Sequence, residues 1–157
     1  MNLHTLVMDR LRTATHDQHM SVERLPFLEA LAAGDLPLHS YVGLLHALAI
    51  VHPALEQGLA QAQHPVIGAV WDDHRRKVPL LDQDLATFAS VALPEPSVAL
   101  VGAQVVAHHI RRRAAEDPVS LLGYLYVLEG STLGGLVLRA QLAQTFELNR
   151  SHGLAYV

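Results

Sequence analysis

The sequence has no cysteine, few aromatic residues and no excess of basic charge. Without cysteine, the chain forms neither disulfides nor thiolate metal sites, which fits a reducing cytoplasm. A formal net charge of −4 gives no electrostatic footprint for nucleic acid, so we expect no nucleic-acid partner. Half of the 157 residues are hydrophobic, which is enough for a substantial core. We therefore expect a single folded domain over residues 1–157.

The alternating pattern of β-strands is also missing, whereas helical periodicity runs through the whole chain. It predicts helices over residues 2–32, 41–62, 67–89, 98–115 and 118–147, separated by linkers that contain proline or glycine. Pro26, Pro53 and Pro79 fall inside these segments, where each predicts a kink or the start of a new helix. The predicted fold class is all-α, a multi-helix bundle.

The last predicted helix contains an apolar stretch, residues 121–138, with Glu129 as its charged residue in the middle. A helix that is apolar all round belongs inside a protein rather than on its surface. Glu129 and the four glycines of the stretch argue against a membrane span, so we expect no membrane partner.

Glycines recur on one side of this helix. At about 3.6 residues per turn, one face carries Gly123, Tyr126, Val127, Gly130 and Gly134, which we call the glycine face. A face with few side chains lets a flat or bulky group approach the helix backbone. Two other interpretations stay open: a second helix packed on Gly130 and Gly134, and a turn at Gly134-Gly135 that divides the segment.

A polar stripe on the first predicted helix offers a candidate metal ligand. It consists of Arg12, His16, His19 and Glu23, which share one helical face. Glu23 can accept a hydrogen bond from one ring nitrogen of His19 and leave the other nitrogen free to bind a metal. One imidazole is too few ligands for a closed zinc site, but it is enough for a haem iron. The alternative is a solvent-exposed stripe of polar side chains.

Together these two regions resemble the haem oxygenase family, and within it the bacterial branch associated with bacteriophytochromes. The resemblance depends on Leu11-Arg12, Thr15, His19 and Glu23, and on the segment from Tyr126 to Gly135, which is the more specific part. It implies a haem-oxygenase-like bundle and a cytoplasmic enzyme. The implied reaction is oxygen-dependent cleavage of haem b, both cofactor and substrate, to biliverdin, CO and Fe(II).

On the N-terminal side, the resemblance implies that His19 is the axial iron ligand and that Glu23 orients it. His16 is a rival ligand that has no match in the family pattern. Arg12 is expected to pair with a haem propionate.

On the glycine side, Gly130 and Gly134 are expected to let the helix backbone approach haem, with Tyr126 and Val127 beside them. The catalytic residues implied are Gly130, Ser131 and Gly134. Many family members carry an Asp in this segment that organises water, whereas this chain has Ser131 next to the first glycine. We therefore expect Ser131 and ordered water to donate the hydrogen bonds there.

The resemblance also implies partners, namely an electron donor such as ferredoxin or a flavoprotein reductase, and a bacteriophytochrome that accepts biliverdin. The family normally continues for one or two helices beyond the point where this chain stops, at Val157. We expect a C-terminally shortened member or an incomplete sequence. Apolar surface left exposed in this way favours a homodimer.

Two other functions fit the residues. The first is a haem-binding protein of the same fold without turnover. The second is a non-haem metal oxidase or small-molecule binder, with a di-iron site formed by His46, His52, Glu56 and the segment Asp72-Asp73-His74. The Glu-x-x-His pair typical of di-iron bundles is absent, which weighs against it.

Overall fold

The computed structural model describes residues 3–94, 97–132, 135–148 and 152–157, with side chains outside the description at 3–8, 131–132 and 135–137. In this part of the chain every regular element is helical, as predicted. The α-helices are α1 (Leu3–Glu23), α2 (Pro26–Ala33), α3 (Leu38–Gln61), α4 (Pro65–Gly68), α5 (Val78–Thr87), α6 (Val98–Glu116), α7 (Leu121–Thr132) and α8 (Gly135–Thr145). Short 3-10 helices occur at Asp73–Arg75 and Pro118–Ser120.

The chain divides into two compact units, Met1–Leu36 and Pro37–Val157. The first unit contains α1 and α2. Pro26 lies in the first turn of α2, where its missing N–H leaves no hydrogen bond unmade. Of the two expectations for Pro26, a kink or a new helix, the structure has the second, so the segment 2–32 is divided into α1 and α2.

In the second unit, α3 is the central helix and packs against α5, α6 and α7. Its length and composition alone would allow it to cross a membrane. However, Tyr41, Leu45, Leu55 and Leu59 of α3 are buried within the protein. These contacts identify α3 as a core helix of the bundle.

The helices α3, α6 and α7 approach one another closely at Gly58. A Cβ atom placed at Gly58 would lie 2.9 Å from Leu121 Cδ1 and 3.1 Å from Ala114 Cβ. Around this point lies a core cluster of Ala54, Leu55, Leu59, Ile67, Ala107, Ile110, Leu121 and Leu125. The cluster fixes which side of α7 is buried.

The C-terminal segment, residues 152–157, is held against the second unit by side chains from α3 and α5. The buried Asp84 carboxylate accepts hydrogen bonds from the backbone N–H groups of Ala155 (2.8 Å) and Tyr156 (2.9 Å). Tyr41 donates from its hydroxyl to the carbonyl oxygen of Gly153, at 3.0 Å. Gly153 has a φ of +81°, which favours glycine there.

The third predicted helix, residues 67–89, is wrong as a single element. The region instead folds as α4, a 3-10 helix and α5. Polar side chains cause the breaks: His64 accepts from Val66 N at the start of α4, and Asp72 accepts from His74 N at the 3-10 helix. Such side-chain caps compete with a continuous helix.

The last predicted helix, residues 118–147, corresponds to a 3-10 turn followed by α7 and α8. Residues 133–134, between α7 and α8, lie outside the described residues. The predicted turn at Gly134-Gly135 therefore stays a prediction.

Candidate haem-binding site

The first part of the predicted site lies on α1. His19 Nδ1 is 3.3 Å from Glu23 Oε1, and the two side chains are 70% and 54% exposed. The predicted pair is therefore present in the structure. Because Nδ1 faces the carboxylate, Nε2 is the ring nitrogen positioned to bind an external partner. The role of His19 as a metal ligand stays a prediction.

Arg12 and His16 lie one turn apart on the same helix. Together with Thr13 and Asp17 they line a shallow depression on the exposed surface of α1. The structure thus brings together Arg12 with His16, and His19 with Glu23, as the helical spacing predicts. An exposed guanidinium of this kind can pair with an anionic group of a ligand.

The second part of the predicted site lies on α7, and here one prediction is wrong. The helix is not buried all round, because only the side that carries Leu121 and Leu125 faces the core. On the opposite side, Tyr126 is 53% and Val127 is 66% exposed. Helices α3 and α6 pack against α7, and the buried Leu121 and Leu125 mark the side that is covered.

The glycine face is open at both of its described glycines. A Cβ atom placed at Gly123 or Gly130 would have no atom within 4 Å. Helix packing at Gly130, one of the alternatives above, is therefore not found among the described residues. Gly134 and the side chain of Ser131 lie outside them.

The residues present fit a haem group in their chemistry. The first unit offers an exposed imidazole with a carboxylate partner, and the second offers an apolar helix face with open glycine positions. Apolar patches left uncovered on a protein surface often mark binding sites.

The predicted di-iron cluster is not formed: among the described residues no three His, Asp or Glu side chains are grouped to hold a metal ion. Glu56, which lies on α3, instead binds the backbone at the start of α5. Its Oε1 accepts from the backbone N–H groups of Lys77 (2.7 Å) and Val78 (3.1 Å). Arg76 lies 3.8 Å from its other oxygen.

His52 forms a buried pair that the sequence did not reveal. Its Nε2 is 3.1 Å from the Tyr156 hydroxyl, and its Nδ1 is 3.7 Å from Glu56 Oε1. Burial lowers the pKa of His52 to about 4, and the charge of Lys77 acts in the same direction. Burial also raises the pKa of Tyr156 to about 12, with a further contribution from Glu129. Tyr156 was missed because no local pattern connects it to His52.

Comparisons with known proteins agree with this architecture. The chain is similar to the haem oxygenase of Xanthomonas campestris pv. campestris, with 26% identity over 132 residues, or 82% of this chain and 68% of the relative. Its fold matches the crystal structure of haem oxygenase-1 from the cyanobacterium Synechocystis in complex with haem. That match has a TM-score of 0.82 at 24% identity and covers 94% of this chain and 67% of the other.

A further solved structure, the haem oxygenase of Leptospira interrogans, matches with a TM-score of 0.80 and 25% identity, over 93% of this chain and 72% of the other. The fold is thus the all-helical fold of haem oxygenase structures. The family model described as heme oxygenase matches residues 6–157. The chain therefore belongs to the haem oxygenase family.

Proposed function

We propose that this chain binds haem b and cleaves it oxidatively to biliverdin, CO and Fe(II). Family membership supports the reaction class. The structural observation that carries the proposal is the open, apolar glycine face of α7, since a folded protein exposes such a face at a cost unless a ligand covers it. When bound, haem supplies the iron that activates oxygen and the ring that is oxidised.

In this proposal the N-terminal helix supplies the axial ligand. His19 binds the iron through Nε2, and Glu23 holds the ring in one tautomer and orientation through Nδ1. Arg12, exposed on the same helix, pairs with a propionate. A propionate carries a full negative charge, which favours a guanidinium as its partner.

Helix α7 supplies the apolar contact surface in this proposal. Gly130 and Gly134 allow the backbone to approach the ring, while Tyr126 and Val127 provide apolar contact beside it. Ser131, with ordered water, donates hydrogen bonds on this side. The side chain at 131 is shorter than the Asp of many relatives, so water has a larger part in this arrangement.

Several finer assignments belong to the same proposal. The similarity of the segment from Tyr126 to Gly135 favours the bacteriophytochrome-associated branch, with a bacteriophytochrome as acceptor of biliverdin. The electron donor is a ferredoxin or a flavoprotein reductase. We further propose that residues 1–157 act as one domain in the cytoplasm, and that exposed apolar residues such as Val101 and Val105 support a homodimer.

Haem binding without turnover is the second candidate. The absence of the Asp at position 131 favours it, because that residue organises water in many relatives. Both functions require haem binding, but only the enzyme forms biliverdin and CO. A single preparation of the haem-loaded protein therefore distinguishes them.

A hemin titration tests the proposal. We expect the wild-type chain to give the absorption spectrum of an imidazole-ligated haem, and His19→Ala to lose it. His16→Ala is the matched control, because His16 is an exposed imidazole one turn away and should leave the spectrum unchanged. Adding ascorbate or ferredoxin with its reductase should then produce biliverdin and CO.

A stable ferrous spectrum under the same conditions would select haem binding without turnover. A wild-type chain that gives no haem spectrum, or a spectrum lost in His16→Ala and kept in His19→Ala, would contradict the assignment of the axial ligand.

A further inference from the structure

A chain of three buried or half-buried polar groups connects α3 to the C-terminal segment. Glu56 lies 3.7 Å from His52 Nδ1, and His52 Nε2 lies 3.1 Å from the Tyr156 hydroxyl. The rings of His52 and Tyr156 meet edge to face, with centroids 5.4 Å apart. The backbone N–H of Tyr156 is held by Asp84 at 2.9 Å, so the ring is fixed at both ends.

The direction of the hydrogen bond follows from the charge states. Burial and Lys77 keep His52 neutral at neutral pH, and burial and Glu129 keep Tyr156 protonated. The Nδ1–H of His52 then faces Glu56, and its bare Nε2 accepts the proton of Tyr156. Because its proton is directed at His52, the Tyr156 oxygen can act only as an acceptor towards a third group.

Packing places this chain of groups at the edge of the glycine face. Leu121, the first residue of α7, contacts the position of Gly58, which lies one turn before α3 ends at Gln61. Because α7 also packs against α3, it runs back along α3 and the two helices are antiparallel. About two turns beyond Leu121, Glu129 reaches the level of His52.

On the helical wheel of α7, Glu129 lies between the buried side of Leu125 and the open side of Gly130. The electrostatic effect of Glu129 on Tyr156 agrees with this register. The Tyr156–His52 pair therefore lies beside the open face rather than behind the core.

We propose that Tyr156, held by His52, is a positioning residue whose hydroxyl oxygen accepts a hydrogen bond from water or ligand on the glycine face of α7. This inference depends on the proposed function, because it requires haem at that face. In this role Tyr156 supplies a fixed polar atom where this chain has Ser131 in place of an acidic side chain.

The test compares Tyr156→Phe with the wild-type chain, both loaded with hemin. The readout is the pH midpoint at which water bound to the ferric iron loses a proton, followed in the absorption spectrum. The charged groups around the pair, namely Glu56, Arg76, Lys77, Asp84, Glu129 and Arg139, are the same in both proteins. An acceptor stabilises bound water over hydroxide, so Tyr156→Phe should lower the midpoint by roughly half to one pH unit.

Tyr124→Phe is the matched control. Its hydroxyl is 2.8 Å from His109 Nδ1, so this is a second tyrosine–histidine pair of the same kind. Tyr124 projects from the side of α7 away from Glu129, and its substitution should leave the midpoint unchanged. His52→Leu is a second test. Without His52, the Tyr156 hydroxyl can donate its proton to iron-bound hydroxide. This stabilises hydroxide over water, so the pH midpoint should fall here too.

Hemin affinity separates the possible outcomes. Normal affinity with a shifted midpoint in Tyr156→Phe and His52→Leu, but not in Tyr124→Phe, supports the inference. Normal affinity with no shift in either variant, or an equal shift in Tyr124→Phe, overturns it and leaves the proposed function intact. A wild-type chain that fails to bind hemin overturns both.

Discussion

His52 is a residue whose surroundings, rather than its type, decide its charge. It is 5% exposed, and its Nε2 lies 3.1 Å from the Tyr156 hydroxyl. Glu56 lies near Nδ1, but its carboxylate is already bound by two backbone amides and faces Arg76. The carboxylate therefore does not offset the cost of burying a charged imidazole, and the pKa of His52 falls to about 4.

This lowered pKa predicts a specific dependence of stability on pH. The unfolded chain takes up a proton at His52 near pH 6.5, whereas the folded chain does so only near pH 4. Stability is therefore retained above about pH 6.5 and falls by up to about 3 kcal/mol as the pH drops towards 4. Urea unfolding at pH 7 and pH 4.5 measures the difference.

In His52→Gln this component of the pH dependence should disappear, even if the variant is less stable at pH 7. His39→Gln, an exposed position at the start of the same helix, is the control and should keep the wild-type dependence. Identical pH profiles for wild type and His52→Gln would contradict the buried, neutral state of His52.

At the scale of elements, the position of the C-terminal segment depends on α3 and α5. Asp84 is fully buried, and its two oxygens accept from the backbone of Ala155 and Tyr156. Leu154 is fully buried beside them, and Tyr41 holds the carbonyl of Gly153. A charged acceptor with two amide donors stabilises the segment more than neutral hydrogen bonds would.

Asp84→Asn should therefore release this segment, because the amide keeps one acceptor oxygen and adds an unpartnered donor. We expect a loss of about 2–4 kcal/mol in the free energy of unfolding, together with faster proteolysis within residues 152–157. Asp82→Asn, at an exposed position on the same helix, should change stability by less than about 0.5 kcal/mol. Equal losses in the two variants would argue against the role of Asp84.

At the scale of the whole molecule, the proposed haem binding predicts a gain in the stability of the folded chain. Ligand binding to the folded state stabilises a protein in proportion to the logarithm of ligand concentration. Haem is thus expected to contribute to the stability of the entire chain, in addition to its part in the chemistry.

Hemin at about 100 times its dissociation constant should add about 2.7 kcal/mol of stability. For a chain of this length, that corresponds to a rise in Tm of roughly 5–10 °C. Gly130→Leu places a side chain on the glycine face and should abolish the rise without lowering the Tm of the free protein, since Leu favours helix.

Gly102→Leu on α6 is the matched control for this thermal measurement, because a Cβ atom at Gly102 also has no atom within 4 Å. It should retain the full hemin-dependent rise. A Gly130→Leu variant that is stabilised by hemin as strongly as Gly102→Leu would show that the glycine face is not the binding surface.

Local sequence determined the helical class and marked Pro26 as the site of a kink or a boundary, because helical periodicity and the geometry of proline act over a few residues. It also determined the His19–Glu23 pair, since residues four apart meet on any helix. It could not determine which side of α7 is covered, because apolar residues lie on every side of that helix and its packing against α3 and α6 decides which of them are buried. Nor could it place Tyr156 beside His52, which is 104 residues away, or the backbone of Ala155 on Asp84, which is 71 residues away. Such contacts have no local period in the sequence and form only when the bundle is packed.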